Sequence, residues 1–260
     1  MENQFLKYPD LVDRTVAITG TNRGIGETLV KAFLSCQCRV VAVYRQDKPC
    51  ISLPDIAGDR LIFLQADIGD RATISDWLTE FESSGNRINI LVNNAGVLKN
   101  TPLLECDEND WHYIMDVNLK NTFFLSQLFA KHMKKYGAGV IINASSFAAK
   151  IAAGNCGIYA ASKSALQMLT KCMAAEWAPY GIRVNGFMPG MIPTRMSAPA
   201  IARKQEQLIN DISLHRFGTT EEVANAVLFL ASNAASYITG IDLEVSGGKF
   251  LIQDPESPWF

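Results

Sequence analysis

A chain of 260 residues in which 48% are hydrophobic is long enough to bury one sizeable core. Its 24 basic and 26 acidic residues leave a net charge of -2, which gives no electrostatic ground for nucleic acid or an anionic membrane as a partner. No apolar run approaches the length of a membrane span, and the opening MENQFLKYPD lacks the apolar stretch of a secretory signal, so a cytoplasmic protein is expected.

Short β-branched runs alternate with longer helical patterns. The first strand, TVAITG (15–20), passes through TGTNRGIGETLVKAF into a helix near 25–36, with Gly20, Gly24 and Gly26 at the passage. Glycines there permit a tight turn, close approach of backbone N–H groups to a pyrophosphate, and close packing of helix on strand. The spacing is GxxxGxG, not the commonest dinucleotide fingerprint, so its weight comes from its place between strand and helix. RVVAVY (39–44) is the second strand and ends at Tyr44-Arg45. A carboxylate for a ribose 2′-hydroxyl is expected about 20 residues after such a turn. None stands there, and Asp47 comes later; Arg45, with Arg23 of the glycine loop, suits a 2′-phosphate instead.

LIFLQA (61–66), NILVNNAG (89–96), GVIINAS (139–145), IRVNGFM (182–188) and DLEVSG (242–247) read as further strands. Helical patterns fall near 71–84, 108–135, 159–178, 199–211 and 220–232. Most strands are nearly continuous apolar runs, as strands covered on both faces should be. Thr219-Thr220-Glu221-Glu222 before VANAVLFLA reads as a helix start with acid in its first turn. The alternation predicts an α/β fold, a doubly wound Rossmann-type parallel sheet of seven strands flanked by helices. Without repeats or a Pro/Gly/Ser linker, residues 1–260 form one domain, with a cofactor half to about 145 and a catalytic half from about 146. The six cysteines, Cys36, Cys38, Cys50, Cys106, Cys156 and Cys172, form no CxxC pair and read as free thiols, and no metal site is expected.

The stretch IYAASKSALQML (158–169) places Tyr159 and Lys163 one helical turn apart on one face. A phenol with a pKa of about 10 is a poor base near neutrality. An ammonium beside it favours the phenolate, so Lys163 is expected to lower the Tyr159 pKa.

TGTNRGIG, ADI (66–68), NNAG (93–96), VNL (117–119), SS (145–146), YAASK (159–163), RVNGFMPGMIPT (183–194) and ASYITGIDLEVSGG (235–248), in this order, resemble the short-chain dehydrogenase/reductase family over nearly the whole chain. The resemblance implies a hydride-transfer site. Tyr159 would be the acid/base and Lys163 its tuning cation. Ser146, 13 positions before Tyr159, would donate to the substrate carbonyl oxygen, with Ser145 the alternative one residue too early. Asn118 would help to hold a water linking Lys163 to solvent. The implied cofactor shell comprises Gly20, Asn22, Arg23, Gly24, Ile25, Gly26, Tyr44 and Arg45, with Asp67 and Ile68 flanking the adenine. Asn94, Ala95 and Gly96 would run beside the ribose, with Tyr159 and Lys163. Pro189, Gly190, Ile192 and Thr194 would meet the nicotinamide. Position relative to the catalytic residues adds Phe147, Ala149, Ile151, Cys156, Met191 and Met196 to Ser146 and Tyr159 as substrate lining, an apolar set that suits a moderately hydrophobic carbonyl compound.

HRFGTTEEVANAVLFLASNAASYITG is similar to the 3-oxoacyl-carrier-protein reductases of the family. Those carry an arginine for the carrier protein between the catalytic helix and the next strand; here that segment is APYGIR, with Tyr180 at the matching place, and Lys134 and Lys135 end the preceding helix. The resemblance implies an NADPH-dependent reductase of a ketone, with NAD(H) as the other possible cofactor. An NAD-dependent alcohol dehydrogenase working oxidatively is the second reading. A cofactor-binding regulator without chemistry is a third, opposed by the presence of Tyr159, Lys163, Ser146 and Asn118. In the helix over 159–178, Ala165, Met168 and Cys172 mark one apolar stripe and Leu166, Leu169 and Met173 another. With the resemblance, this implies a homotetramer, or a dimer, acting on a small-molecule carbonyl or alcohol.

Overall fold

The computed structural model describes residues 5–46, 58–152, 154–249 and 251. Asp47, Cys50 and the tail from Ile252 lie outside them. Among the described residues, seven strands form one sheet: β1 (Thr15–Thr19), β2 (Arg39–Tyr44), β3 (Leu61–Gln65), β4 (Ile90–Asn93), β5 (Gly139–Ala144), β6 (Ile182–Pro189) and β7 (Asp242–Val245). All pair in parallel, in the order β3-β2-β1-β4-β5-β6-β7. The chain winds outward from β1 to β3, then returns and winds the other way from β4. Strand order therefore reverses between β1 and β4, and a crevice opens at their carboxyl ends, where ligands bind in sheets of this kind.

The helices are α1 (Gly24–Ser35), α2 (Arg71–Ser83), α3 (Glu108–Met115), α4 (Thr122–Lys134), α5 (Gly157–Trp177), α6 (Ala198–Asn210) and α7 (Thr220–Ala231). Successive strand residues point to opposite faces. Val16, Ile18, Val40 and Ala42 pack with Leu29 and Phe33 of α1 and Val223, Val227 and Leu228 of α7. Ala17, Val41 and Val43 pack on the other face with Ile74 of α2, Leu125 and Phe129 of α4 and Met173 of α5. Both faces are covered, which is why most of the strand sequences are nearly continuous apolar runs. No helix among the described residues is long and apolar enough to cross a membrane.

Two helices depart from their sequence patterns. The run expected over 108–135 is split by a π-helical segment, Asp116–Asn121, between α3 and α4. Such segments are often functional, because they take carbonyls out of the ordinary helical ladder. The helix expected over 199–211 is kinked at Lys204 (φ -145°, ψ 35°) and buries no residue fully.

The acid-rich start of α7 is a full capping box. Thr219 Oγ1 accepts from the Glu222 N–H at 3.2 Å, and Glu222 Oε2 accepts from the Thr219 N–H at 2.8 Å. Arg216 holds the same carboxylate at 2.6 and 3.0 Å. Replacing Thr219 by Ala leaves an orphan N–H at this helix start, and is expected to lower stability by about 1 kcal/mol and Tm by roughly 2–4 °C. Urea denaturation measures it, and an unchanged midpoint would contradict the capping role.

Candidate active site

The turn from β1 to α1 is packed as closely as backbone allows. Gly20 has φ +68°, and a Cβ there would lie 2.9 Å from the Ala95 Cα. A Cβ on Gly26 would run into the Gly20 carbonyl oxygen and the Asn94 amide. The loop after β4 clamps this turn. Asn94 Nδ2 donates to the carbonyls of Thr19 and Gly20, both at 3.0 Å. Thr19 Oγ1 accepts from the N–H groups of Asn94 and Ala95 at 3.1 and 3.0 Å. The Asn94 side-chain nitrogen is thus committed to the loop. Thr194 sets its methyl 3.4 Å from where a Gly24 Cβ would be, bringing the segment after β6 over the glycine turn.

These residues fit a dinucleotide. α2, α3 and α7 begin with side-chain caps from Asp70, Asp107 and Thr219, whereas α1 begins at Arg23 with none. The first N–H groups of α1 therefore keep no side-chain partner and suit an anion such as a pyrophosphate. Asn22 and Ile25 are half-buried in the same turn and Arg23 is exposed. At the end of β2, the Tyr44 ring packs edge-on against Phe63. Arg45 lies 3.6 Å from Asp67, and both side chains are about half exposed. Asp67 also accepts from the Gly69 N–H at 2.8 Å, and Ile68 beside it is buried. Pro189 and Gly190 end β6, where the Gly190 N–H donates to Val245, and Ile192 is buried.

The polar side chains of the second half meet near the carboxyl ends of β4 and β5. Ser146 stands beside the Tyr159 phenol and favours its ionised form. Ser146 is buried, and its Oγ accepts from the Ala148 N–H at 3.2 Å. Ser145 turns away and accepts from Gln167 at 3.0 Å, so geometry separates the two serines. Lys163 is buried, donates to the Ala144 carbonyl at 2.7 Å, and holds its ammonium 5.9 Å from the Tyr159 ring centroid. A Cβ on Gly96 would lie 3.3 Å from Asn118 Oδ1 and 3.5 Å from Lys163 Nζ. Asn118, fully buried in the π segment, accepts from the Val97 N–H at 2.8 Å and donates to the Val97 carbonyl at 2.9 Å and Ser162 Oγ at 3.3 Å.

One expectation fails here. Burial pushes the Tyr159 phenol above its ordinary value, Cys156 adds to that, and only Ser146 opposes it. Burial likewise pushes Lys163 down to about 8. Each group is driven toward its neutral form, because desolvation penalises charge more than this separated pair returns. The expected lowering of Tyr159 by Lys163 is not found.

Of the substrate-lining candidates, Met191 is buried, Phe147, Ala149 and Cys156 are half-buried, and Ile151 and Met196 are exposed. Sequence reasoning missed Thr19 and Ser162. Thr19 directly precedes the first glycine. Ser162 sits inside a helix, where serine competes with the backbone for hydrogen bonds and a reason for it is worth seeking. Among the described residues no group of three His, Cys, Asp or Glu is placed to hold a metal ion.

A family model described as enoyl-(acyl carrier protein) reductase matches residues 20–249. A 3-oxoacyl-(acyl-carrier-protein) reductase of Chlamydia pneumoniae is 36% identical over 242 residues, 92% of this chain and 97% of that protein. The crystal structure of a gluconate 5-dehydrogenase from Burkholderia cenocepacia, in complex with NADP and tartrate, superposes with a TM-score of 0.87 at 34% identity, covering 94% of this chain and 98% of that one. A short-chain type dehydrogenase/reductase from Mycobacterium marinum gives a TM-score of 0.87 at 30% identity, with the same coverage.

The Lys163 shift has a consequence for stability. With a value of about 8 when folded against 10.5 when free, the unfolded chain binds this proton more tightly. Below pH 8 folding must bury the charge; as pH rises from 8 toward 10.5 the folded chain sheds the proton first, and this site's contribution to stability increases. Relative to Lys163→Met, wild-type stability is expected to rise by roughly 3 kcal/mol across that window. Urea denaturation at a series of pH values measures the difference, and a flat one would mean that Lys163 is not desolvated.

Proposed function

The chain belongs to the short-chain dehydrogenase/reductase family, and from that membership we propose that it is an NADPH-dependent reductase that turns a ketone into a secondary alcohol. The observation that carries this reading is the buried Lys163, held on the Ala144 carbonyl with its ammonium 5.9 Å from the Tyr159 ring, and Ser146 beside that phenol.

NADPH, when bound, supplies the hydride. The chain's residues supply the rest. Ser146 and Tyr159 direct O–H groups at one carbonyl oxygen, and their pull grows as negative charge develops there. Tyr159 gives that oxygen its proton. A phenol held protonated by burial is in the state this step requires near neutrality. Lys163 lies close enough to favour the phenolate once the proton has left. Because the Asn118 amide is spent on Val97, a relay water would rest on a main-chain carbonyl of the π segment and on Lys163.

The uncapped α1 start, with Gly20, Gly24 and Gly26, would hold the pyrophosphate, and Arg23 and Arg45 the 2′-phosphate. The B. cenocepacia relative, whose crystal structure is in complex with NADP, supports this cofactor. The contact of Arg45 with Asp67 favours a second reading, an NAD-dependent alcohol dehydrogenase, since it diverts part of the guanidinium's charge. Tyr180, with Lys134 stacked 3.8 Å over its ring, offers no arginine to a carrier protein, which supports a free small carbonyl substrate. Met168 on α5 and Trp111 and Tyr113 on α3 are exposed, which supports burial against further copies in a homotetramer or dimer. No disulfide joins the five described cysteines, in keeping with a cytoplasmic location.

Tyr159→Phe removes the proton donor and one hydroxyl, and is expected to lower kcat/KM by at least about a thousandfold while leaving cofactor affinity within about threefold. Steady-state kinetics and cofactor titration check both halves; substantial turnover would rule out the assigned step. NADPH is expected to be preferred over NADH by roughly tenfold to a thousandfold in kcat/KM. Equal values, or a preference for NADH, would transfer support to the second reading.

A further inference from the structure

We infer that the chain carries a second anion site at the amino ends of β1, β2 and β4, where Arg14, Arg39 and Arg87 take up a compact phosphorylated polyanion. The site lies at the end of the sheet opposite the catalytic crevice, and it does not depend on the reductase reading.

Arg14 immediately precedes β1, Arg39 opens β2, and Arg87 stands just before β4. They are far apart in the chain and meet because β2, β1 and β4 are neighbours in the sheet. Hydrogen bonds fix the foot of β1 from both sides. The Arg39 N–H donates to the Arg14 carbonyl at 2.9 Å. The Thr15 N–H donates to Asn89 Oδ1, and the Asn89 N–H donates to the Thr15 carbonyl, both at 2.9 Å. Arg39 Nη1 also donates to Asn86 Oδ1 at 2.5 Å, which ties the segment bearing Arg87 to the start of β2. A cavity of about 560 Å³ opens among these segments, and all three arginines line it. Arg14 and Arg39 are half-buried, and Arg87 is exposed.

Two aspartates line the same cavity, yet neither forms an ion pair with these arginines. Asp10 Oδ2 instead accepts from the Asn233 N–H at 2.8 Å, and Asp13 occupies a left-handed turn with φ +60°. Among the described residues no carboxylate lies within ion-pair distance of Arg14, Arg39 or Arg87, whereas Lys31, Lys120, Lys135 and Arg216 each hold one. Arg14 spends only its Nε, on the Asp10 carbonyl at 3.2 Å. The Arg87 guanidinium stands 5.8 Å from the Tyr136 ring centroid. Asn89 commits its side-chain oxygen to Thr15, and among the described residues its amide nitrogen donates to nothing. The cavity is therefore rich in N–H donors whose acceptors are not supplied by the described chain. A planar guanidinium meets the oxygens of a phosphoryl group two at a time, and three around one cavity suit an anion with more than one such group. The chain-wide net charge of -2 conceals this patch, because it counts the acids of every face.

Pyrophosphate is the probe, titrated calorimetrically into protein saturated with NADP⁺, so that the glycine turn is already filled. It is expected to bind with a Kd of about 1 mM or tighter at low salt, and to weaken as sodium chloride is raised, as charge pairing requires. Arg14→Gln and Arg87→Gln are each expected to weaken it about tenfold, the effect of one charge-assisted hydrogen bond. Asp13→Asn removes a competing carboxylate and is expected to tighten it about threefold. NADP⁺ affinity is expected to stay within about twofold in all three variants, since none touches the crevice. Arg87 is exposed, so Arg87→Gln keeps the fold, and an unchanged urea midpoint checks this. ADP, titrated in parallel, separates two sources of such an anion: binding as tight as pyrophosphate or tighter assigns a nucleotide, weaker binding a free polyphosphate, and both require the same arginines. No binding of either probe at millimolar concentration, or pyrophosphate binding unchanged in both arginine variants, overturns the site.

Discussion

The hydrogen bond from Lys163 to the Ala144 carbonyl joins α5 to the end of β5 and fixes the active helix on the sheet. It also keeps an ammonium out of water, which is costly. Much of the neighbouring arrangement is set by that burial. Gly96 packs closely against both Asn118 and Lys163, and Asn118 lies in the π segment where it reaches Val97. The same desolvation that lowers the lysine raises the phenol beside it, so the site rests with both groups driven toward neutrality. In the proposed reading, a phenol kept protonated by burial would be the proton donor.

Behind the site, a buried polar ladder holds the strand ends in register. Asn93 of β4 and Asn143 of β5 are paired residues in the sheet, and Asn93 Nδ2 donates to Asn143 Oδ1 at 2.9 Å. Asn93 also donates to Ser126 of α4, and Asn143 donates to Thr170 of α5, at 2.8 and 2.9 Å. Buried amides of this kind tolerate few alternative arrangements, since each unmade bond is expensive in a low dielectric. The ladder therefore sets α4 and α5 against β4 and β5 at the depth where Lys163 and Asn118 must meet. Precision at the site comes from the polar core, and bulk stability from the two apolar layers.

The sheet was legible because most strands are apolar on both faces and all but the last are followed by a helical pattern; all seven fall within a few residues of their sequence bounds. The glycine turn was legible for a steric reason, and the clash that any Gly26 side chain would meet bears that out. The π segment was not, because periodicity over 108–135 continues through it and the cause is Asn118 reaching a backbone more than twenty positions away. The direction of the Tyr159 shift was misjudged because spacing on a helix gives proximity, whereas burial decides which charge state is cheaper.

The most direct test of this account is the titration of Tyr159 itself. Tyrosine labelled with carbon-13 at the ring carbon bearing the hydroxyl, assigned by comparison with Tyr159→Phe, reports the phenol's charge state by NMR in the cofactor-free protein. The expected result is a Tyr159 signal that stays in its protonated position to above pH 10, beyond the ordinary phenol value, because burial outweighs the effect of Ser146. A Tyr159 that ionised near neutral pH in the cofactor-free protein would contradict it, and would make the Lys163 charge, not burial, the force that sets the site.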